Sequence, residues 1–164
     1  MTDVMPGGLE ELEACHTKLL SWCDFLEAIA DFLPCHVDNA LCATMARELA
    51  PLLAETHRLE ERLICSALPL IAKAADLANL RELRAACRAA ELDAAQQAIA
   101  ALTGLAAGRS QLSPGAVGQA LRLFSGPMRR QIKLERQMLG DIRMAAAKAE
   151  QRPVRHRELE ADGV

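Results

Sequence analysis

Residues 46–71 read ARELAPLLAETHRLEERLICSALPLI, and this stretch decides the fold. Counting forward in steps of three and four picks out Ala46, Leu49, Leu53, His57, Glu61, Ile64, Leu68 and Ile71. That period is the apolar stripe of an amphipathic helix, because side chains three and four apart lie on one face. Two members of the stripe, His57 and Glu61, are polar and sit one turn apart, so on this count both point into an otherwise apolar interior. Pro51 and Pro69 lie inside the stretch, and each should kink the helix or remove a backbone bond.

The same period extends on either side. A first helix is expected from Leu9 to Leu33, stopped by Pro34, with the stripe Leu9, Leu12, His16, Leu19, Cys23, Leu26, Ala30, Leu33. His16 therefore occupies a core position. The second helix starts at the Asp38-Asn39 cap signal and continues to about Ala74. A third covers about Leu77 to Ala107, is ended by Gly108, and carries Leu92, Ala95, Ile99, Leu102 and Ala106 with no polar interruption. After a loop over Gly108–Gly115, Ser113-Pro114 opens a fourth helix reaching about Gln151, with a bend at Gly126-Pro127. Its stripe is Val117, Leu121, Phe124, Met128, Gln131, Glu135, Met138, Ile142, Ala145, which turns Gln131 and Glu135 inward. Four long helices with short connections predict an all-α, antiparallel up-down four-helix bundle over residues 9–151. Residues 1–8 form a flexible lead-in and 152–164 a flexible charged tail.

Composition agrees with helices and narrows the function. Of 164 residues, 51% are apolar and only 2% aromatic, and the aromatic and β-branched residues that favour sheets are scarce. The scarcity of rings argues against base-stacking RNA surfaces, and a net charge of −3 argues against a nucleic-acid binder or a polybasic membrane arm. No run of about 18 uncharged apolar residues exists to span a bilayer. The opening segment, with Asp3 and no basic residue, is unlike a secretory signal, so the expected location is the cytoplasm. Six cysteines without a CxxC pair read as small buried hydrophobes in a reducing compartment.

Buried carboxylates are expensive without a cation, on the order of several kcal/mol each. His16, His57, Glu61 and Glu135 on inward stripes therefore suggest either a single divalent ion or a metal-free histidine–glutamate network. The donor set suits Fe, Mn or Zn. Gln131 and Glu60 would support the ligands through hydrogen bonds. The chain has no nucleophile with an activating base, no glycine-rich phosphate loop and no cofactor motif, so it does not read as an enzyme.

These residues resemble those of hemerythrin-like (HHE cation-binding) domains. His16 in LEACHTKLL is similar to the family's first-helix histidine, and Thr56-His57-Arg58-Leu59-Glu60-Glu61 to its His-His-x-x-Glu-Glu element. Gln131-Ile132 followed by Glu135 is similar to the fourth-helix His-Ile-x-x-Glu element, and Glu91-Leu92-Asp93 to the third-helix Glu-His-Asp. The family holds two irons with histidines from all four helices and two bridging carboxylates. Here Leu92 and Gln131 stand where histidines are expected. The resemblance thus implies a degenerate cation-binding module with at most one metal, a sensor or regulatory domain rather than a reversible oxygen carrier. The alternative is a metal-free bundle serving as a protein-interaction or assembly module. In the second helix the ligand position falls on His57 with Glu61 by the stripe count, or on Thr56 with Glu60 if the register shifts by one. The alanines at 85, 86, 89 and 90 would permit close helix approach, so monomer and homodimer both remain open.

Overall fold

The computed structural model describes residues 5–161, with side chains described from 8 to 151. Four long helices carry the fold: α1 (Met5–Phe32), α2 (Asn39–Glu60), α3 (Ala74–Ala106) and α4 (Pro114–Ala161). Among the described residues there is no strand. The packing forms a ring: α1 lies against α2 and α4, and α3 against α2 and α4. No described helix is long and apolar enough to cross a membrane. Residues 1–4 and 162–164, the outer parts of the two expected terminal segments, lie outside the described residues. The backbone of α1 begins before Leu9, and that of α4 continues past Pro153.

The helix ends follow local chemistry. Asp38 has extended backbone and its Oδ1 accepts from the amides of Ala40 and Leu41 at 2.8 and 3.0 Å, satisfying donors that α2 cannot pair internally. Gly108, at φ 64°, closes α3 in a conformation glycine adopts without a Cβ penalty. The expected second helix is shorter than the sequence reading, which carried it to about Ala74. It gives way after Glu60 to one turn of π-helix over Glu61–Cys65, then to a short 3-10 turn over Leu68–Leu70 containing Pro69. Pro51, in contrast, is accommodated inside α2.

The interior is stratified. One apolar cluster gathers Leu19, Cys23 and Leu26 of α1, Leu49 and Leu53 of α2, Ala98 and Leu102 of α3, and Leu121, Phe124 and Ile132 of α4. A smaller one gathers Leu12, Leu59, Ile64, Leu68, Leu139 and Ile142. Between them, in chain order, lie His16 (after Leu12, before Leu19), Thr56 and Glu60 (after Leu53, before Ile64) and Glu135 (after Ile132, before Leu139), all buried. A polar layer one turn deep therefore separates two hydrophobic cores.

Candidate functional site

Each helix contributes to that layer. From α1, the imidazole of His16 is fully buried. Its Nε2 lies 3.1 Å from Glu135 Oε2 of α4 and 3.6 Å from Glu60 Oε1 of α2. Arg84 of α3 completes the ring: one terminal nitrogen sits 3.2 Å from Glu135 Oε1 and 3.7 Å from Glu60 Oε2, with the side chain 10% exposed. Gln131, one turn before Glu135, donates from Nε2 to Glu135 Oε1 at 2.8 Å. Thr56 is buried beside them but turns its hydroxyl back onto its own helix, donating to the Leu52 carbonyl at 2.8 Å.

The electrostatics separate the two carboxylates. For Glu135, burial favours the neutral acid, but hydrogen bonds from His16, Glu60 and Gln131 and the charge of Arg84 outweigh it and hold the pKa well below the usual range. For Glu60, burial dominates and the neighbouring Glu135 adds to it, so the pKa is raised despite the bond with His16. His16 is itself disfavoured as a cation by burial, yet its contacts with the two carboxylates raise its pKa. An ionised Glu135 against Arg84, with protons distributed between His16 and Glu60, leaves the layer close to neutral. It can be charge-balanced by side chains alone.

Of the sequence-derived candidates, the structure brings His16 and Glu135 together with Glu60, and keeps Gln131 in its supporting place. His57 and Glu61 are not in this group, which corrects the inward direction assigned to them. His57 is half-buried and pairs with Glu91 of α3, Nε2 to Oε2 2.7 Å. Glu61 is exposed and pairs with Arg88, whose guanidinium lies 2.5 Å from Oε2 and holds the Glu61 carboxyl below its ordinary pKa. On α2 the buried polar pair is Thr56 and Glu60. Leu92 is corrected as well: it is 45% exposed and belongs to the outer surface.

Arg84 was missed, although the sequence carries a signal for it. Stepping back from Leu102 in alternating fours and threes gives Ala98, Ala95, Glu91, Arg88 and Arg84. Ala95, Ala98 and Leu102 are buried, and the three charged residues face the neighbouring helices. Beginning the count at Leu92 put the stripe one position out of phase there.

Metal ligation can be tested against this geometry. One ligand atom from each of His16, Glu60 and Glu135 lies within 4.8 Å of the others, a spacing that a single small divalent ion can bridge. Two irons do not fit: α2, α3 and α4 offer this layer a threonine, an arginine and a glutamine instead of imidazoles. His16 Nδ1 is buried with no hydrogen-bond partner, whereas a metal-bound imidazole usually has its second nitrogen anchored. Arg84, moreover, already brings positive charge to both carboxylates. Comparison with protein-family models, with curated proteins and with solved structures gave no match to this chain.

Proposed function

We propose that the chain is a degenerate hemerythrin-like module, an antiparallel up-down bundle in which an internal arginine carries the charge that a metal would supply. On this reading it works as a protein-interaction or regulatory domain in the cytoplasm, and neither stores oxygen nor catalyses a reaction. The observation that carries it is the Arg84 guanidinium, within salt-bridge distance of both buried carboxylates. A divalent ion added to that set would leave an excess of buried positive charge, which costs several kcal/mol in a low-dielectric interior. A partner-binding role draws support from α4, where Leu123 and Leu134 are 51 and 56% exposed and lie within about 20° of one another around the helix.

The second reading keeps one Fe, Mn or Zn ion on His16, Glu60 and Glu135, and is favoured by the convergence of their donor atoms within 4.8 Å. Thermal unfolding of untagged protein with added Zn(II), Mn(II) or Fe(II), and with chelator, separates the two. Arginine substitution predicts a wild-type Tm insensitive to all of them, and a Zn(II)-dependent rise in Arg84→Met, where the carboxylates have lost their cation. A wild-type Tm that rises with metal and falls on chelation overturns that reading in favour of the second.

A further inference from the structure

A cavity of about 260 Å³ lies between α3 and α4, with Gln131 of the buried layer in its wall. It exists in part because two of the α3 residues that line it, Ala90 and Ala94, end at Cβ and leave space between Cys87 and Glu91 of their own helix and Phe124 and Met128 of α4. Its wall is mainly apolar, with the Glu91 carboxylate and the Gln131 amide as its hydrogen-bonding side chains beside the Cys87 thiol. Glu91 uses Oε2 for His57, and Gln131 uses Nε2 for Glu135, so each has an oxygen without a hydrogen-bond partner among the described residues. Among the described residues, Glu91 is the only carboxylate lining the cavity, and no basic side chain lines it. An apolar cleft, open to solvent at Ala90, Leu123 and Pro127 and carrying a carboxylate and a free amide oxygen, discriminates by chemistry: it welcomes a donor or cation and disfavours an acid.

We propose that this cavity binds a small amphiphilic amine, with an alkyl tail against Phe124 and Met128 and an ammonium head donating to Glu91 and Gln131. Size follows from scaling: an apolar cavity of about 150 Å³ holds one benzene, so this one takes a molecule of about ten non-hydrogen atoms. The assignment is independent of whether Arg84 or a metal balances the central layer, although Gln131 touches both places.

The test is calorimetric titration of the full chain at neutral pH and physiological salt with n-octylammonium, n-octanoate and 1-octanol. Saturable binding of one octylammonium per chain is expected, at least about tenfold tighter than octanoate. Glu91→Gln should reduce octylammonium to the level of octanol. Ala94→Leu fills the chamber without changing any charge, and should weaken both the amine and the alcohol about tenfold or more. Ala90→Leu serves the same purpose if circular dichroism shows Ala94→Leu unfolded. Octanoate binding as tightly as the amine, absence of saturable amine binding, or unchanged binding in the folded cavity-filling variant would overturn the proposal.

Discussion

Arg84→Met removes the only guanidinium among the described residues that touches the buried carboxylates, while keeping an unbranched apolar stem of similar reach. In the wild type its nitrogen lies 3.2 Å from Glu135 and 3.7 Å from Glu60. At an effective dielectric of about 20, each contact is worth about 4–5 kcal/mol before desolvation is counted. Burying a guanidinium to 10% exposure offsets much of that gain. The cost of deleting one partner is therefore better taken as the penalty of leaving the other charges stranded, about 3–5 kcal/mol. For a chain of 164 residues this corresponds to a fall in Tm of about 12 °C, and to a third or more of a typical total stability. Urea and thermal unfolding followed by circular dichroism measure it. Adding Glu60→Met to Arg84→Met leaves Glu135 with His16 as a neutral pair, so the double variant should recover at least half of the loss. A single variant costing less than about 1 kcal/mol, or a double variant as unstable as the sum of both singles, would refute the charge-balance argument.

Further expectations are narrower. Glu60, pushed up to about 7 from an ordinary 4.5, binds its proton more tightly folded than unfolded; its contribution is full below about pH 4.5 and is lost as pH rises through 7. His16, raised from 6.5, acts in the same direction, whereas Glu135, lowered to about 2, contributes above 4.5 and fails as pH falls. Tm should therefore peak near pH 5, and Glu60→Gln should flatten the decline between pH 5 and 8; a decline of wild-type steepness in that variant would contradict the assignment. Glu61→Gln removes an exposed ion pair and should lower stability by under about 1 kcal/mol, while Glu60→Ala leaves Arg84 and His16 less well balanced and should cost about 3 kcal/mol. The reverse order in chemical denaturation would return the register to His57 and Glu61. Among the thiols, Cys35 is exposed, whereas Cys23 is buried and pushed up to about 12 by that burial. Iodoacetamide in native buffer should label Cys35 and spare Cys23, as mass spectrometry of the digest can check.

The helical architecture was legible because helix composition and stripe spacing agree along most of the chain. On α1 the counted positions Leu12, His16, Leu19, Cys23, Leu26 and Ala30 are all buried. On α2 the count drifted, and the reason is geometric. Each residue advances about 100° around a helix, so successive steps of four from Leu49 through Leu53 carry His57 and then Glu61 about 80° and 120° from Leu49. Thr56 and Glu60 stay within about 20° of it. Ile64 and Leu68 then concealed the error, because the π-turn at Glu61–Cys65 inserts extra residues per turn and brings them back to the core. No residue type announces such a turn. Arg84 was hidden by a different prior: long cationic side chains are assumed to be solvated, and only the pairing of two carboxylates from other helices makes its burial favourable.

The placement of charge between two greasy blocks also fixes how the four rods align along their length. Leucine against leucine is forgiving, and an Ala- and Leu-rich rod could slide by a heptad with little loss of contact. Here, any such slide of α1 or α4 would carry His16 or Glu135 into a wholly aliphatic stratum, far from Arg84 and unable to recover solvent. The layer thus works as a notch and key for axial alignment, selecting one arrangement among several of comparable packing energy.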